Sequence, residues 1–372
     1  MPLVFLLAPM LTGELSLKSS GTVSTDAGTV TAAGLSSASL AQDKVRARVA
    51  EARRLLKERR LPSNDHVTLA AEDAETAEIH LFDVPKETFL AAGAETELTA
   101  SNGESLRLRV VRPNYVNTAV RVSDARGREL RPLAVKYPVV KGGTLSDVAY
   151  YTSAHPAVHS RELVNAGQAY VREGLNEAAR RLAKKGVRVD ARIIDAAERL
   201  CTVEHADHKR FEMEDRAALF DEIYTLYALN AGDTYRYSVS SAGAGGMIQM
   251  IPPTYRAVRD AYPSVGLDAD FVKGMRDHSN ALEAMLLYMH DTWAALAREP
   301  EVQMALQTGQ ATQAELLAAG YNSNPARLST YLARGGPAWR TLIPRETQMY
   351  LRIYASLESL VHFKARAAAS AE

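Results

Sequence analysis

The chain has 372 residues, with Lys+Arg and Asp+Glu balanced at 44 each and a single cysteine, Cys201. Balanced charge leaves no basic field of the kind that binds nucleic acid, and one thiol excludes an intramolecular disulfide, so the core alone must hold the fold. An apolar share of 47% over this length is ample for one large or two ordinary globular domains.

Met1–Leu11 (MPLVFLLAPML) is apolar but too short to span a bilayer. It has the character of a secretory signal core without the usual basic residues before it, so either the start is mis-set or the segment is something else, and no transmembrane segment is expected. Gly13 to about Ala41 is rich in Ser, Thr, Gly and Ala, so residues 1–41 read as a leader with a flexible stretch. Within residues 42–64, Asp43 to Arg60 places Val45, Val49, Leu55 and Leu56 among charges, as one amphipathic helix would, and Pro62 with Ser63-Asn64-Asp65 stops it.

From His66 to about Val140 the pattern changes to short alternating runs: HVTLAA, EIHLFDV, ETELTA, SLRLRVV and TAVRVSD, with Asn102-Gly103 and Ala125-Arg126-Gly127 between some of them. Period-two alternation with turn residues between predicts antiparallel strands, and residues 65–141 form a β-rich accessory domain, a small sandwich or partial barrel. It carries no catalytic constellation; a docking module and a structural appendage are both open. Gly142-Gly143 closes it. Residues 142–372 are read as helical, beginning with SDVAYYTSA and the long run ELVNAGQAYVREGLNEAARRLAKKG. The fold class is therefore α+β, a mainly helical domain preceded by a small antiparallel one.

Inside the helical half, Ser240–Thr254 (SSAGAGGMIQMIPPT) cannot be regular helix, because Gly243, Gly245 and Gly246 favour tight turns. Gln249 alone interrupts the apolar run Met247–Ile251. Taken by itself this is either a ligand-lining turn or a buried turn with a hydrogen-bonded amide. The amphipathic stretch Ile193–His205 puts Glu204 near the middle of its apolar stripe, where a carboxyl loses water and its pKa should rise.

These segments resemble the superfamily of lytic transglycosylases and goose-type lysozymes. Ser240, Gly243, Ala244, Gly246, Gln249, Pro252 and Thr254 match its S-x-x-G-A-x-G-L-M-Q-x-x-P-x-T signature, with Met247 and Ile248 for the Leu-Met pair. Tyr321 and Asn322 match its A-Y-N-x-G-P block, where Asn324 replaces the Gly and is the residue next best able to hold a left-handed conformation. Glu346, Thr347 and Tyr350 match its closing L-P-x-E-T-x-x-Y-V block. Asp277–Met289 is similar to the helix that packs beneath the cleft. The resemblance covers about residues 187–360.

It implies a lysozyme-like fold, peptidoglycan glycan strands as substrate, no metal or other cofactor, and a place in the periplasm or outside the cell. Many members carry the catalytic Glu nine residues before the position of Ser240. Here that residue is Ala231. Val203-Glu204-His205 after an apolar helix resembles the acid-bearing helix of the goose-type branch, which makes Glu204 the expected acid and Lys209 to about Asn230 an insertion. Glu222 and then Asp233 are the alternatives. Ser240, Gly243, Gly246, Gln249, Tyr321, Asn322 and Tyr350 are the implied substrate-binding residues. His205 and His208 beside Glu204 fit no zinc spacing. The matched blocks supply no acidic partner, which favours intramolecular ring closure over hydrolysis, although Asp233 or Asp277 would serve a muramidase. A catalytically silent glycan-binding scaffold is the third reading.

Overall fold

The computed structural model describes the backbone of residues 32–367 and the side chains of residues 44–367. The signal-like segment and most of the leader lie outside these residues. Two compact units emerge, one of residues 32–166 with 228–230, the other of residues 167–227 and 231–367.

The first unit is a strongly bent antiparallel sheet with a helix against it. Its strands are β1 (His66–Glu72), β2 (Ile79–Pro85), β3 (Glu95–Thr99), β4 (Ser105–Arg112), β5 (Ala119–Asp124), β6 (Glu129–Lys141) and β7 (Thr144–Tyr151), in the order β2-β1-β6-β5-β4-β3 with β7 added to β6. Ser101 N donates to Leu81 O at 2.8 Å, bringing the end of β3 back to β2, so the barrel is nearly closed. Alternation shows where strands have one wet face: in β4 Leu106, Leu108 and Val110 are buried while Arg107 and Arg109 are exposed. Helix α1 (Ala32–Glu58) places Val49, Ala52 and Leu56 on Ala70, Leu133 and Ala134. Buried Glu72 is held there by Arg48 and Arg131. A short helix, α2 (Lys86–Phe89), follows β2.

Three expectations change here. Residues 32–41, read as flexible, are helical, in keeping with the high helix propensity of Ala and Leu. The β6 strand escapes period-two reading because Leu133–Tyr137 is buried throughout, and because it contains Pro132 and Pro138; the register shifts between Ala70 and Ala71 beside Pro132. Residues 144–151, expected to be helical, are strand β7, and Gly142-Gly143 is the turn of the β6–β7 hairpin, both glycines at positive φ. The boundary between units therefore falls not at residue 142 but within α3 (Arg161–Lys184).

The second unit comprises most of α3, then α4 (Ala191–Val203), α5 (His208–Met213), α6 (Arg216–Asn230, whose last three residues belong with the first unit), α7 (Pro252–Ala261), α8 (Phe271–Arg276), α9 (His278–Leu296), α10 (Pro300–Gln307), α11 (Gln313–Asn322), α12 (Leu328–Gly335) and α13 (Arg345–Leu360). Helix α4 packs against α9, α11 and α13. Its Ala196, Ala197, Leu200 and Cys201 are fully buried, as are Ala281 and Ala284–Leu287 of α9. From Ala281 to Leu287 α9 is buried on every side, Glu283 included, where it pairs with Arg181 and Lys185. Asp190 caps α4, accepting from Arg192 N at 2.8 Å, and Asp277 caps α9, accepting from Ser279 N at 2.9 Å. No helix among the described residues is long and apolar enough to cross a membrane.

Candidate active site

The glycine-rich segment is a compact hairpin. Ser240 N donates to Ala244 O at 2.9 Å, Gly243 N to Ser240 O at 2.9 Å, and the Ser240 hydroxyl accepts from Ala244 N at 3.0 Å. Gly245 pairs with both Val239 and Met250. Gly246 stands at φ +69°, and a Cβ there would lie 2.3 Å from Met275 O, so no other residue fits. Gln249 takes the left-handed conformation and turns its amide inward, Nε2 donating to Gly246 O at 2.8 Å and Ser238 Oγ at 3.2 Å. That amide braces the turn.

Two side chains clamp the 3-10 turn Gly246–Ile248 at the hairpin's end by its backbone. His205 Nε2 donates to Met247 O at 2.9 Å and Tyr321 Oη donates to Ile248 O at 2.7 Å. A carbonyl only accepts, so the His205 proton is on Nε2; burial drives the imidazole pKa down to about 3, and the ring is neutral. It stacks face to face on Tyr235. The acid candidate is the residue before it.

Glu204 terminates α4 and keeps part of its surface open while protein surrounds most of it. Burial pushes its pKa up to about 8; the Tyr350 hydroxyl, donating to Oε1 at 2.5 Å, pulls the other way, and the charge of Glu346 adds to the rise. The C-terminal end of a helix dipole also disfavours an anion. Tyr321 and Tyr350 are themselves held un-ionised, first by burial and then by the Glu204 charge. Glu204 is thus bonded to Tyr350, its charge reaches Tyr321, and Tyr321 bonds the hairpin. Asn322 is tied in from the side, its Oδ1 accepting from Thr347 Oγ1 at 2.9 Å.

The alternatives to Glu204 stand elsewhere in their chemistry. Glu222 forms a two-pronged ion pair with Arg210 at 2.9 and 2.7 Å, so both its oxygens are taken by one guanidinium. Asp233 is half exposed and loosely paired with Arg236 at 4.0 Å. Ala231, at the usual acid position, caps α6 at φ 47° and supplies no carboxylate. Asp277 is occupied as the α9 cap. Asn324 is not left-handed as expected: at φ −83° it caps a following 3-10 turn, accepting from Ala326 N at 3.1 Å, which Asn does as readily as Gly turns.

One expectation about the matched blocks needs correcting. They do supply a second acidic group, since Glu346 lies close enough for its charge to act on Glu204. His205 and Tyr235 were also missed as parts of the site; backbone clamps and ring stacking leave no periodic signal. Among the described residues, no three of His, Cys, Asp and Glu gather in a way that would hold a metal ion. Comparison with known protein families, curated proteins and solved structures returns no match.

Proposed function

We propose that the protein is a peptidoglycan lytic transglycosylase of the cell envelope, with a lysozyme-like second unit and Glu204 as its single acid and base. The observation that carries the reading is a carboxyl pushed up to about 8 by burial and bonded to Tyr350; its charge also reaches Tyr321, the side chain that bonds the glycine hairpin. At neutral pH most of it is protonated, as protonation of a glycosidic oxygen requires. Accepting from Tyr350 at Oε1 leaves the proton for Oε2.

Glu204 gives that proton to the oxygen between N-acetylmuramic acid and N-acetylglucosamine as the C1–O bond breaks. The resulting carboxylate then takes the proton from the muramic 6-hydroxyl as O6 closes on C1. Glu204 ends protonated, no water is consumed, and the product carries a 1,6-anhydro ring. Ser240, Gly243, Gly246, Gln249, Tyr321, Asn322 and Tyr350 shape the wall against which the glycan lies.

A muramidase is the second reading, favoured by Glu346, because hydrolysis commonly uses a second carboxylate to hold the attacking water. Mass spectrometry of muropeptides released from purified sacculi separates the two. An anhydro end, lighter by one water than a reducing end, supports the transglycosylase. Reducing ends alone support the muramidase, and release that persists in Glu204→Gln removes Glu204 from either scheme.

A further inference from the structure

The hairpin is entered through a tight turn that the lytic scheme leaves unused. Tyr235, at φ 58°, opens it, Arg236 and Tyr237 are its two central residues, and Ser238 N closes it on Tyr235 O at 2.9 Å. Both ends belong to the site already described. The Tyr235 ring stacks on His205, next in sequence to Glu204. Ser238 accepts at its carbonyl from Gly246 N at 3.2 Å and at its hydroxyl from Gln249 Nε2. Arg276 comes to the same place from the junction of α8 and α9, where Met275 O lies against Gly246 and His278 Nε2 donates to Thr234 O at 2.8 Å. The guanidinium carbons of Arg276 and Arg236 stand 5.1 and 5.9 Å from the centre of one ring, that of Tyr237.

A guanidinium beside an aromatic ring has an ordinary explanation, because the ring's electron cloud attracts a cation. That explanation leaves the donors of Arg236 unanswered. Among the described residues its buried Nε meets no acceptor, and its ion-pair partner Asp233 keeps Oδ1 4.0 Å away, beyond hydrogen-bond distance. The side chain is 35% exposed, so a solute can reach it. We propose that Arg236, with Arg276 across the Tyr237 ring, is a subsite for a carboxylate carried on the muramic residue of the substrate. The inference rests on the glycan reading of the hairpin but not on cleavage. N-acetylmuramic acid differs from N-acetylglucosamine by a lactyl ether, which ends either in its own carboxylate or in an attached peptide that bears carboxylates. A guanidinium suits such an anion, since its planar fork binds a carboxylate through two parallel hydrogen bonds. A glucosamine unit offers no anion. The subsite therefore distinguishes the two sugars that alternate along the strand, fixes their register, and selects which of the two alternating bonds meets Glu204.

The test reads binding rather than turnover. Three disaccharides that lack the bond Glu204 would break are titrated against the full chain by ligand-observed NMR. They are chitobiose, with no carboxylate; N-acetylglucosaminyl-N-acetylmuramic acid, with the lactyl carboxylate; and the same disaccharide carrying its peptide. The unmutated protein is expected to favour one or both acidic fragments over chitobiose. Arg236→Gln should reduce that preference about tenfold and leave chitobiose binding unchanged. Arg276→Gln, on a separate element, should act in the same direction and serves if the first variant does not fold. Arg236→Lys, a charge without the fork, should recover only part of the preference. A loss confined to the peptide-bearing fragment identifies the peptide as the source of the anion, and a loss with the simple disaccharide identifies the lactyl group. Chitobiose bound as well as the acidic fragments, or a preference that survives both Gln variants, overturns the inference and leaves the glycan reading standing. Failure to bind any of the three sinks both. A preference lost in the variants of a protein that releases no muropeptides would uphold the subsite and sink the lytic reading instead.

Discussion

A carboxyl with a raised pKa burdens the folded chain as the pH rises, and Glu204→Gln measures by how much. Burial pushes the Glu204 carboxyl up to about 8 in the fold, against an ordinary value of 4.5. The folded state holds this proton more tightly than the unfolded chain does. Stability is therefore complete below about pH 4.5 and is lost progressively as the pH rises towards 8. At 1.36 kcal/mol per unit, the full difference amounts to about 5 kcal/mol, of which about 3 kcal/mol is already lost at pH 7. Gln has the same shape, cannot ionise, and still offers Tyr350 an oxygen. Urea unfolding of both proteins at intervals from pH 4.5 to 9 gives the assay, because most other titrations cancel in the difference. The variant should gain on the unmutated protein through this window and level off above pH 8. A difference that stays flat would show that Glu204 ionises normally, and the acid assignment would fall with it.

Tyr350→Phe removes the donor that favours the ionised carboxyl, so the basic limb of the wall-cleavage profile should move upward in pH while the maximum rate drops. Gly246→Ala forces a side chain into positive φ and against Met275 O, and should cost about 2–4 kcal/mol by chemical unfolding. Glu222→Gln breaks the paired fork on Arg210 and should lower stability by about 1–3 kcal/mol while leaving muropeptide release intact; lost release in a folded variant would reopen its candidacy as the acid.

The legible parts of the sequence were those with a period. The strands β2–β5 and the amphipathic α4 stand close to where alternation and the 3.6-residue stripe place them, because each has one face wetter than the other; β1 stands there too, although it is buried from Val67 to Glu72. The strand β6 lost that signal by being buried on both sides, and β7 was misread although Gly142-Gly143 marks a two-residue hairpin turn. In the site, Glu204 was visible because a lone carboxyl on an apolar stripe is anomalous. Glu346 was noticed only as a motif match. Its approach to Glu204 joins α13 to the end of α4, more than a hundred residues earlier, and no local pattern encodes that meeting.

The two anchors on the hairpin, His205 and Tyr321, seize main-chain oxygens of neighbouring residues, Met247 and Ile248. Every amino acid offers the same carbonyl, so positions 247 and 248 are free to drift among apolar residues that fill the core beneath them. The imidazole and the phenol have no such latitude, since few side chains reach a peptide oxygen from the required distance with a proton to offer. Mutational tolerance should therefore be lopsided across this junction, generous on the turn and strict on the two rings that grip it.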